Sequence, residues 1–133
     1  MDMTPEFIML AFTLILALVQ IGAAGAARTV ELGGKWNAGP RDEAVPPPGK
    51  LAGRLIRAQA NLFETLPIFA AAVIMAHVAG KDGGPLTLWG THLYLAGRLI
   101  YLPLYAFGVP YLRTLVWLGS FVGLLMIIVA LFV

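Results

Sequence analysis

The chain has 133 residues, of which 59% are hydrophobic and only 12% are charged, and its mean hydropathy is +0.84. Soluble domains carry about 25% charged residues, so this composition indicates a membrane protein with a single domain over 1–133. The net charge of +2, with the basic residues gathered mostly in one loop, does not suggest a nucleic-acid-binding surface. The lack of cysteine excludes disulfides and a protein thiolate, and two histidines are a poor supply for a transition-metal site.

Four apolar segments predict an all-α integral membrane bundle of four transmembrane helices. The first contains 21 uncharged residues between Glu6 and Arg28, enough to cross about 30 Å of hydrocarbon. A cleaved signal peptide is the rival interpretation, but the acidic flank before this run and the length of the run favour a retained span. The predicted spans are 5–27, 51–79, 86–107 and 114–133.

The connection 28–50 is rich in glycine, proline and basic residues, which predicts a loop with an extended proline segment. Basic residues are concentrated there, at the start of the second span and at Arg113 in the third connection, whereas the second connection has only Lys81. By the positive-inside rule, the first and third loops face the cytoplasm and both termini face away from it.

The second span carries a polar stripe. On a helix, Arg54, Arg57, Asn61 and Glu64 fall within an arc of about 80°, with Lys50 and Thr65 on the same stripe and Gln59 on another face. Charged side chains inside a membrane usually face a bundle interior or a watery cavity, which predicts a polar site. The alternative is a cytoplasmic basic flank in which Glu64 pairs with an arginine to hold the bundle together.

The third span carries a second stripe on one helical face, formed by Thr87, Thr91, Tyr94, Arg98, Tyr101 and Tyr105. Because the second and third spans are antiparallel neighbours, Glu64 and Arg98 lie at a similar depth and are expected to be level enough to pair. Arg113 lies at the cytoplasmic edge of the fourth span. The stripes together predict a polar cleft open to the cytoplasm, although the tyrosines could also form an interfacial belt.

The residue types in this cleft indicate the kind of ligand it holds. Guanidinium groups bind carboxylates through paired hydrogen bonds, and the carboxylate of Glu64 suits an ammonium or amide donor. Asn61 and the tyrosine hydroxyls add neutral hydrogen bonds. The expected ligand is small and multiply anionic or zwitterionic, and it binds beside a lipid-facing surface from which an apolar partner can arrive.

Two stretches resemble the signatures of a known family. RAQANLFETLPIF, 57–69, resembles the R-A-x-x-N-x-x-E-x-x-P-x-F signature of the MAPEG family, the membrane-associated proteins in eicosanoid and glutathione metabolism. AGRLIYLPLYAFGVPYLRTLVW, 96–117, resembles the family's second signature of an arginine, two spaced tyrosines and a further arginine. The resemblance covers about 50–120 closely, and the first span and proline-rich loop are similar to those of bacterial members, which implies a bacterial inner membrane.

The resemblance implies a homotrimer of four-helix subunits with glutathione at each subunit interface and lipophilic electrophiles or hydroperoxides arriving from the bilayer. It implies a glutathione transferase or peroxidase in which Arg113 stabilises the glutathione thiolate, a role that a nearby guanidinium can perform by lowering the thiol pKa. The positions that match glutathione contacts are Arg57, Gln59, Asn61, Glu64, Arg98, Tyr101 and Tyr105.

Two other classes of function remain open. A small four-span transporter is expected to carry an essential carboxylate in its first span, and none lies between residues 7 and 27. A non-catalytic interaction protein of the same fold would bind a ligand or a partner without turning over any electrophile. On the last span, Gly119 and Gly123 are four residues apart, a spacing that allows close approach of helices.

Overall fold

The computed structural model describes residues 2–133, and this part of the chain contains helices and no strand. The all-α prediction is therefore confirmed. In chain order the helices are α1 (Pro5–Leu32), α2 (Gly34–Ala38), α3 (Lys50–Val78), α4 (Pro85–Ala106) and α5 (Tyr111–Ala130).

Three of these helices, α1, α3 and α5, are long and apolar enough to cross a membrane, with mean hydropathies of 2.4, 1.5 and 2.1 over their most apolar windows. The prediction of an integral membrane protein is confirmed at this level. The 22-residue α4 is not among the three. Its polar side chains lower its hydropathy, so the count of four spans stays a prediction.

The first connection differs from the predicted loop 28–50. Helix α1 continues past residue 27 to Leu32 and ends at Gly33, whose φ of 94° is readily adopted only by glycine. The short helix α2 follows at once, and the proline-rich segment beyond it has no regular structure. The membrane helix thus extends into the connection and carries Arg28 and Glu31 on its last turns.

Helices α4 and α5 approach each other most closely. A Cβ atom on Gly90 would lie 2.7 Å from the carbonyl oxygen of Gly123, and one on Gly123 would lie 2.6 Å from that of Gly90. Gly97 has the same relation to Ser120, with 2.8 Å between its added Cβ and the Ser120 Cβ. Small residues therefore let the two backbones touch, as is typical of membrane helices.

The interior between the helices is apolar. Leu62 and Phe69 of α3, Tyr94 of α4 and Ile127 of α5 are at most 1% exposed and belong to one hydrophobic cluster, to which Leu10 of α1 also contributes. Phe69 and Tyr94 stack with their ring centroids 3.9 Å apart. This core fixes the rotation of α3 and α4 about their axes, and thereby decides which of their polar residues face each other.

The bundle has two ends with different contents. The connection α1–α3 and the turn α4–α5 lie at one end, here called the loop end, and the turn α3–α4 lies at the other, here called the turn end. At the turn end the buried carboxylate of Glu6 accepts hydrogen bonds from the Gly83 backbone N–H at 2.7 Å and from the Thr87 hydroxyl at 3.0 Å. The polar stripes of α3 and α4 lead toward the loop end.

Candidate functional site

A polar cavity of about 400 Å³ lies between α3, α4 and α5 toward the loop end. Its volume is within the range of about 300–1,000 Å³ that is usual for small-molecule sites. Its lining residues are Arg57, Ala60, Asn61, Glu64, Tyr101, Tyr105, Arg113, Thr114 and Trp117. Six of the eight sequence-predicted site residues are among them, and the other two, Gln59 and Arg98, are not.

Helical periodicity explains why these residues share one cavity. Residues three or four apart lie on the same helical face, as do Arg57, Asn61 and Glu64 on α3. Tyr101 and Tyr105 have the same relation on the last turns of α4, and so have the lining residues of α5. Each helix therefore contributes one short stripe, and the three stripes face each other.

Tyr105 lies at the centre of the arginine contacts. The Arg57 Nε–H donates a hydrogen bond to the Tyr105 hydroxyl at 3.1 Å, and the Arg57 guanidinium carbon is 5.9 Å from the ring centroid. The Arg113 guanidinium carbon is 4.6 Å from the centroid of the same ring. One phenol thus orients two guanidinium groups from different helices through a hydrogen bond and cation–π contacts.

Arg98 lies behind the cavity wall and is 0% exposed. Its Nη1 donates to Asn61 Oδ1 at 2.7 Å, and its guanidinium carbon is 4.4 Å from the centroid of the Tyr101 ring. Its Nε and Nη2 are buried and have no hydrogen-bond partner among residues 2–133. Arg98 therefore orients two lining residues and keeps two donor groups unused.

The carboxylate of Glu64 has no ion pair in the described part of the chain, where the ion pairs are Arg28–Glu31 and His77–Asp82. The expected pairing of Glu64 with Arg98 is therefore wrong, and so is the alternative in which Glu64 holds the bundle through an arginine. The reason is that Asn61, one turn away on the same face of α3, occupies the position opposite Arg98. Glu64 is exposed to the cavity instead.

The remaining stripe residues have structural contacts outside the cavity. Arg54 Nη1 donates to the Ala106 carbonyl oxygen at 3.3 Å and so binds the carboxyl end of α4, where cations are favourable. Thr65 shares a 2.8 Å hydrogen bond with the hydroxyl of the buried Tyr94. Gln59 is half-buried on a different face of α3 and does not reach the cavity.

Sequence reasoning missed three residues that line the cavity: Ala60, Thr114 and Trp117. Trp117 follows Arg113 by four residues and so lies on the same face of α5. That spacing of four residues was the sequence feature from which Trp117 could have been predicted to line the cavity. Ala60 and Thr114 had no charge or motif that would have predicted this position.

The cavity carries an excess of positive charge. Three guanidinium groups, those of Arg57, Arg98 and Arg113, lie in or directly behind its wall, against the single carboxylate of Glu64. Guanidinium groups bind carboxylates and other anions through charge-assisted hydrogen bonds. The arrangement can bind an anionic ligand that also carries one ammonium group.

The chain was compared with protein families, curated proteins and solved structures. The model of the MAPEG family matches residues 7–133, which is essentially the whole chain. No match was found among curated proteins or among solved structures. The match covers far more than the two stretches that carry the sequence resemblance, and it confirms the family that they indicated. This integral membrane protein belongs to the MAPEG family.

Proposed function

We propose that the protein is a membrane-embedded glutathione-dependent transferase or peroxidase. The observation that carries the proposal is the polar cavity of this MAPEG chain, which brings together the guanidinium groups of Arg57 and Arg113 and the carboxylate of Glu64. This carboxylate has no ion pair among residues 2–133, and Arg98 lies directly behind the wall. The family's association with glutathione metabolism supplies the ligand, and the chemistry of the lining residues agrees with it.

Glutathione has two carboxylates, one ammonium group, two amides and a thiol, and the cavity offers a partner for each. Arg57 suits the carboxylates, and Arg98, which lies behind the wall, holds Asn61 in position for the ligand. The carboxylate of Glu64, which has no ion pair among residues 2–133, suits the ammonium group. Asn61 and the hydroxyls of Tyr101 and Tyr105 can hydrogen-bond to the amides. This set is the proposed glutathione-binding site.

Glutathione supplies the sulfur nucleophile, which this cysteine-free chain does not contain. Arg113 is the proposed catalytic residue, because a guanidinium beside the sulfur favours the thiolate over the thiol and so lowers the thiol pKa. Tyr105 holds the Arg113 guanidinium against its ring and orients Arg57 at the same time. A lipophilic electrophile or hydroperoxide would then reach the sulfur from the surrounding bilayer.

The proposal includes α4 as a fourth span. Its buried face carries the polar residues Thr87, Thr91 and Arg98, whereas exposed positions along it hold Trp89 and Ile100. At about 1.5 Å per residue, its 22 residues are long enough to cross a bilayer. We place the loop end, with its basic residues, in the cytoplasm of a bacterial inner membrane.

The proposal also includes a homotrimer. Arg57 and Glu64 are exposed on the single subunit although they lie within an apolar helix, so a neighbouring subunit would shield them from lipid. Gln59 faces away from the cavity of its own subunit and would contact glutathione only across such an interface. The trimer therefore accounts for two features that one subunit leaves unexplained.

The test is glutathione binding to the detergent-purified protein, followed by the ultraviolet absorbance of the thiolate. Arg113→Ala is expected to lower the thiolate fraction at neutral pH by about tenfold, as a shift of one pKa unit would. Arg41→Ala, which removes an exposed arginine of the first connection, is the matched control and should leave the signal unchanged. Binding without a thiolate signal would instead support a non-catalytic protein, and absence of binding would refute the proposal.

A further inference from the structure

A second cavity, of about 430 Å³, lies within the connection between α1 and α3 and shares no residue with the first. It is here called the loop cavity. Its lining combines apolar side chains with charges of both signs: Leu32, Lys35, Trp36, Gly39, Pro40, Arg41, Asp42, Glu43 and Val45. A cavity of this composition suits an amphiphilic ligand rather than an apolar one.

Hydrogen bonds close the connection around the loop cavity. The Arg28 guanidinium binds Glu31 Oε1 at 2.9 Å and also donates to the Pro46 carbonyl oxygen. Glu31 Oε2 accepts from the Gly49 backbone N–H at 2.9 Å. The last turns of α1 are thus fastened to the far end of the connection, and the residues that line the loop cavity lie in the segment between these two fastened points.

The charged side chains that line the loop cavity are not paired with each other among residues 2–133. Neither Lys35 and Arg41 nor the two carboxylates beside them form an ion pair among residues 2–133. The Arg41 guanidinium carbon is 4.3 Å from the centroid of the Trp36 ring, and one of its N–H groups donates to the Asn37 carbonyl oxygen at 3.0 Å. Arg41 adopts this position with a φ of 60°, which is uncommon for a residue other than glycine.

The position of the loop cavity indicates a membrane lipid. It begins at Leu32, which lies five residues beyond the end of the uncharged run of α1 at Ala27. At about 1.5 Å per residue this places the loop cavity about 7 Å beyond the hydrocarbon, at the level of the headgroups. Trp36 is a residue type enriched at that level. Leu32 and Val45 provide apolar lining on which the first carbons of a lipid chain can pack.

We propose that the loop cavity binds the phosphoethanolamine headgroup of a phospholipid. Lys35 and Arg41 bind the phosphate through charge-assisted hydrogen bonds, and Asp42 and Glu43 accept the N–H groups of the ammonium. The headgroup has one negative and one positive group joined by two carbons, which matches a cavity lined by adjacent basic and acidic side chains. This inference is independent of the proposed glutathione chemistry.

The same geometry selects ethanolamine over choline. A quaternary ammonium has no N–H to donate and is usually held against aromatic faces. The one aromatic ring that lines the loop cavity, Trp36, already has the Arg41 guanidinium against it, so its face is not free for a second cation. The occupied face of Trp36 does not weaken the binding of a primary ammonium, because the partners of its N–H groups are the carboxylates of Asp42 and Glu43.

The test is native mass spectrometry of delipidated protein mixed with equal amounts of phosphatidylethanolamine and phosphatidylcholine that have identical acyl chains. We expect the wild type to retain the ethanolamine lipid over the choline lipid by about threefold to tenfold, as for one or two net hydrogen bonds. The double variant Asp42→Asn, Glu43→Gln should lower this ratio to about one. Lys35→Gln should weaken retention of both lipids equally, because both carry the phosphate.

Two charge-matched controls lie outside the loop cavity. Asp2→Asn changes an exposed acid near the turn end and Lys50→Gln an exposed base at the start of α3, and both should keep the wild-type ratio. Circular dichroism will show whether each variant keeps its helices. A wild-type ratio of one, or an unchanged ratio in the double variant, would overturn the proposal. If free phosphoethanolamine at the same concentration displaced the lipid, the ligand of the loop cavity would be the soluble compound, and the proposal of a phospholipid would be wrong.

Discussion

Arg98 is the single side chain whose placement most constrains the site. It is a charged group with no exposure in the interior of an apolar bundle, and one hydrogen bond to Asn61 and one aromatic face are its partners there. A buried charge is tolerated only when it is well compensated. The bond to Asn61 is therefore expected to have a large effect on stability, since it is the one hydrogen bond that Arg98 makes among residues 2–133.

Asn61→Leu should destabilise the protein by about 2–3 kcal/mol, because the Arg98 guanidinium would lose the hydrogen bond that partly compensates its burial. Leucine has the same number and branching of heavy atoms as asparagine and is larger, so no cavity contributes to the loss. Unfolding in mixed micelles, followed by circular dichroism, measures this free energy.

The double variant Asn61→Leu, Arg98→Met is the control for that prediction. It removes both partners together and should be less destabilised than the sum of the single variants, since no uncompensated charge remains. Additive losses would show that the two side chains contribute independently and that the 2.7 Å contact has little energetic weight.

The sequence predicted which polar residues line the cavity on α3, but it did not predict which of them contacts Arg98. Spacing of three and four residues placed Arg57, Asn61 and Glu64 on one face of α3, and the structure brings all three to one cavity. Spacing does not give the rotation of α3 relative to α4. That rotation is set by the core contacts, such as the stacking of Phe69 on Tyr94, and it brings Asn61 rather than Glu64 to Arg98.

At the scale of the helices, the α4–α5 contact is the tightest in the bundle. Gly90 and Gly123 pack backbone against backbone, whereas an added Cβ on Gly119 would meet nothing within 4 Å. The spacing of Gly119 and Gly123 suggested close approach at both positions, but one of the two faces α4. Arg113 and Trp117 start on the same helix, so this contact also positions the α5 side of the cavity.

Gly90→Ala should destabilise the protein by about 1–3 kcal/mol, because the new methyl group would overlap the Gly123 carbonyl oxygen and force the two helices apart. Gly119→Ala is the matched control on the partner helix and should have no measurable cost. Thermal unfolding in detergent compares the two variants directly. Equal stability of both would contradict the backbone contact.

Element boundaries were predictable only where charge marks them. The charged and glycine-rich residues around 80–84 and 108–113 define the two short turns, and the helices end close to them. Arg28 and Glu31 indicated that α1 stopped earlier than it does. Their ion pair and their contacts with Pro46 and Gly49 hold the two side chains against the connection. The Gly33 N–H caps the last turn of α1 by donating to the Thr29 carbonyl oxygen at 2.7 Å.

Across the whole molecule, the candidate site lies toward the loop end, and the contacts of Glu6 lie at the turn end. The cavity and the basic connection are at the loop end, and the turn end is held by contacts between parts of the chain that are distant in sequence. There Glu6 joins α1 to the α3–α4 turn, and Lys81 Nζ donates to the Val133 carbonyl oxygen at 2.7 Å. The two ends can therefore be changed separately.

Glu6→Ala should lower the free energy of unfolding by about 1–3 kcal/mol, because it removes the side-chain acceptor of the Gly83 N–H. The Thr87 hydroxyl also loses its bond to Glu6 but keeps the carbonyl oxygens of Lys81 and Gly84 as acceptors. Glu6→Gln keeps a carbonyl oxygen in place of Oε1 and should lose about half as much, since a neutral acceptor binds less strongly than a carboxylate. Chemical unfolding in micelles ranks the three proteins.

The same variants separate stability from ligand binding. The Glu6 contacts lie at the turn end and the cavity lies toward the loop end, so Glu6→Ala should leave the glutathione dissociation constant of the folded protein unchanged. Arg57→Ala is the converse case: it should weaken glutathione binding by about tenfold or more through loss of a charge-assisted contact, while its exposed side chain contributes little to unfolding. The contradicting outcome is a Glu6→Ala variant that is fully folded but binds glutathione more weakly than the wild type. In that case the structural change at the turn end would reach the cavity through α1, and the two ends would be coupled.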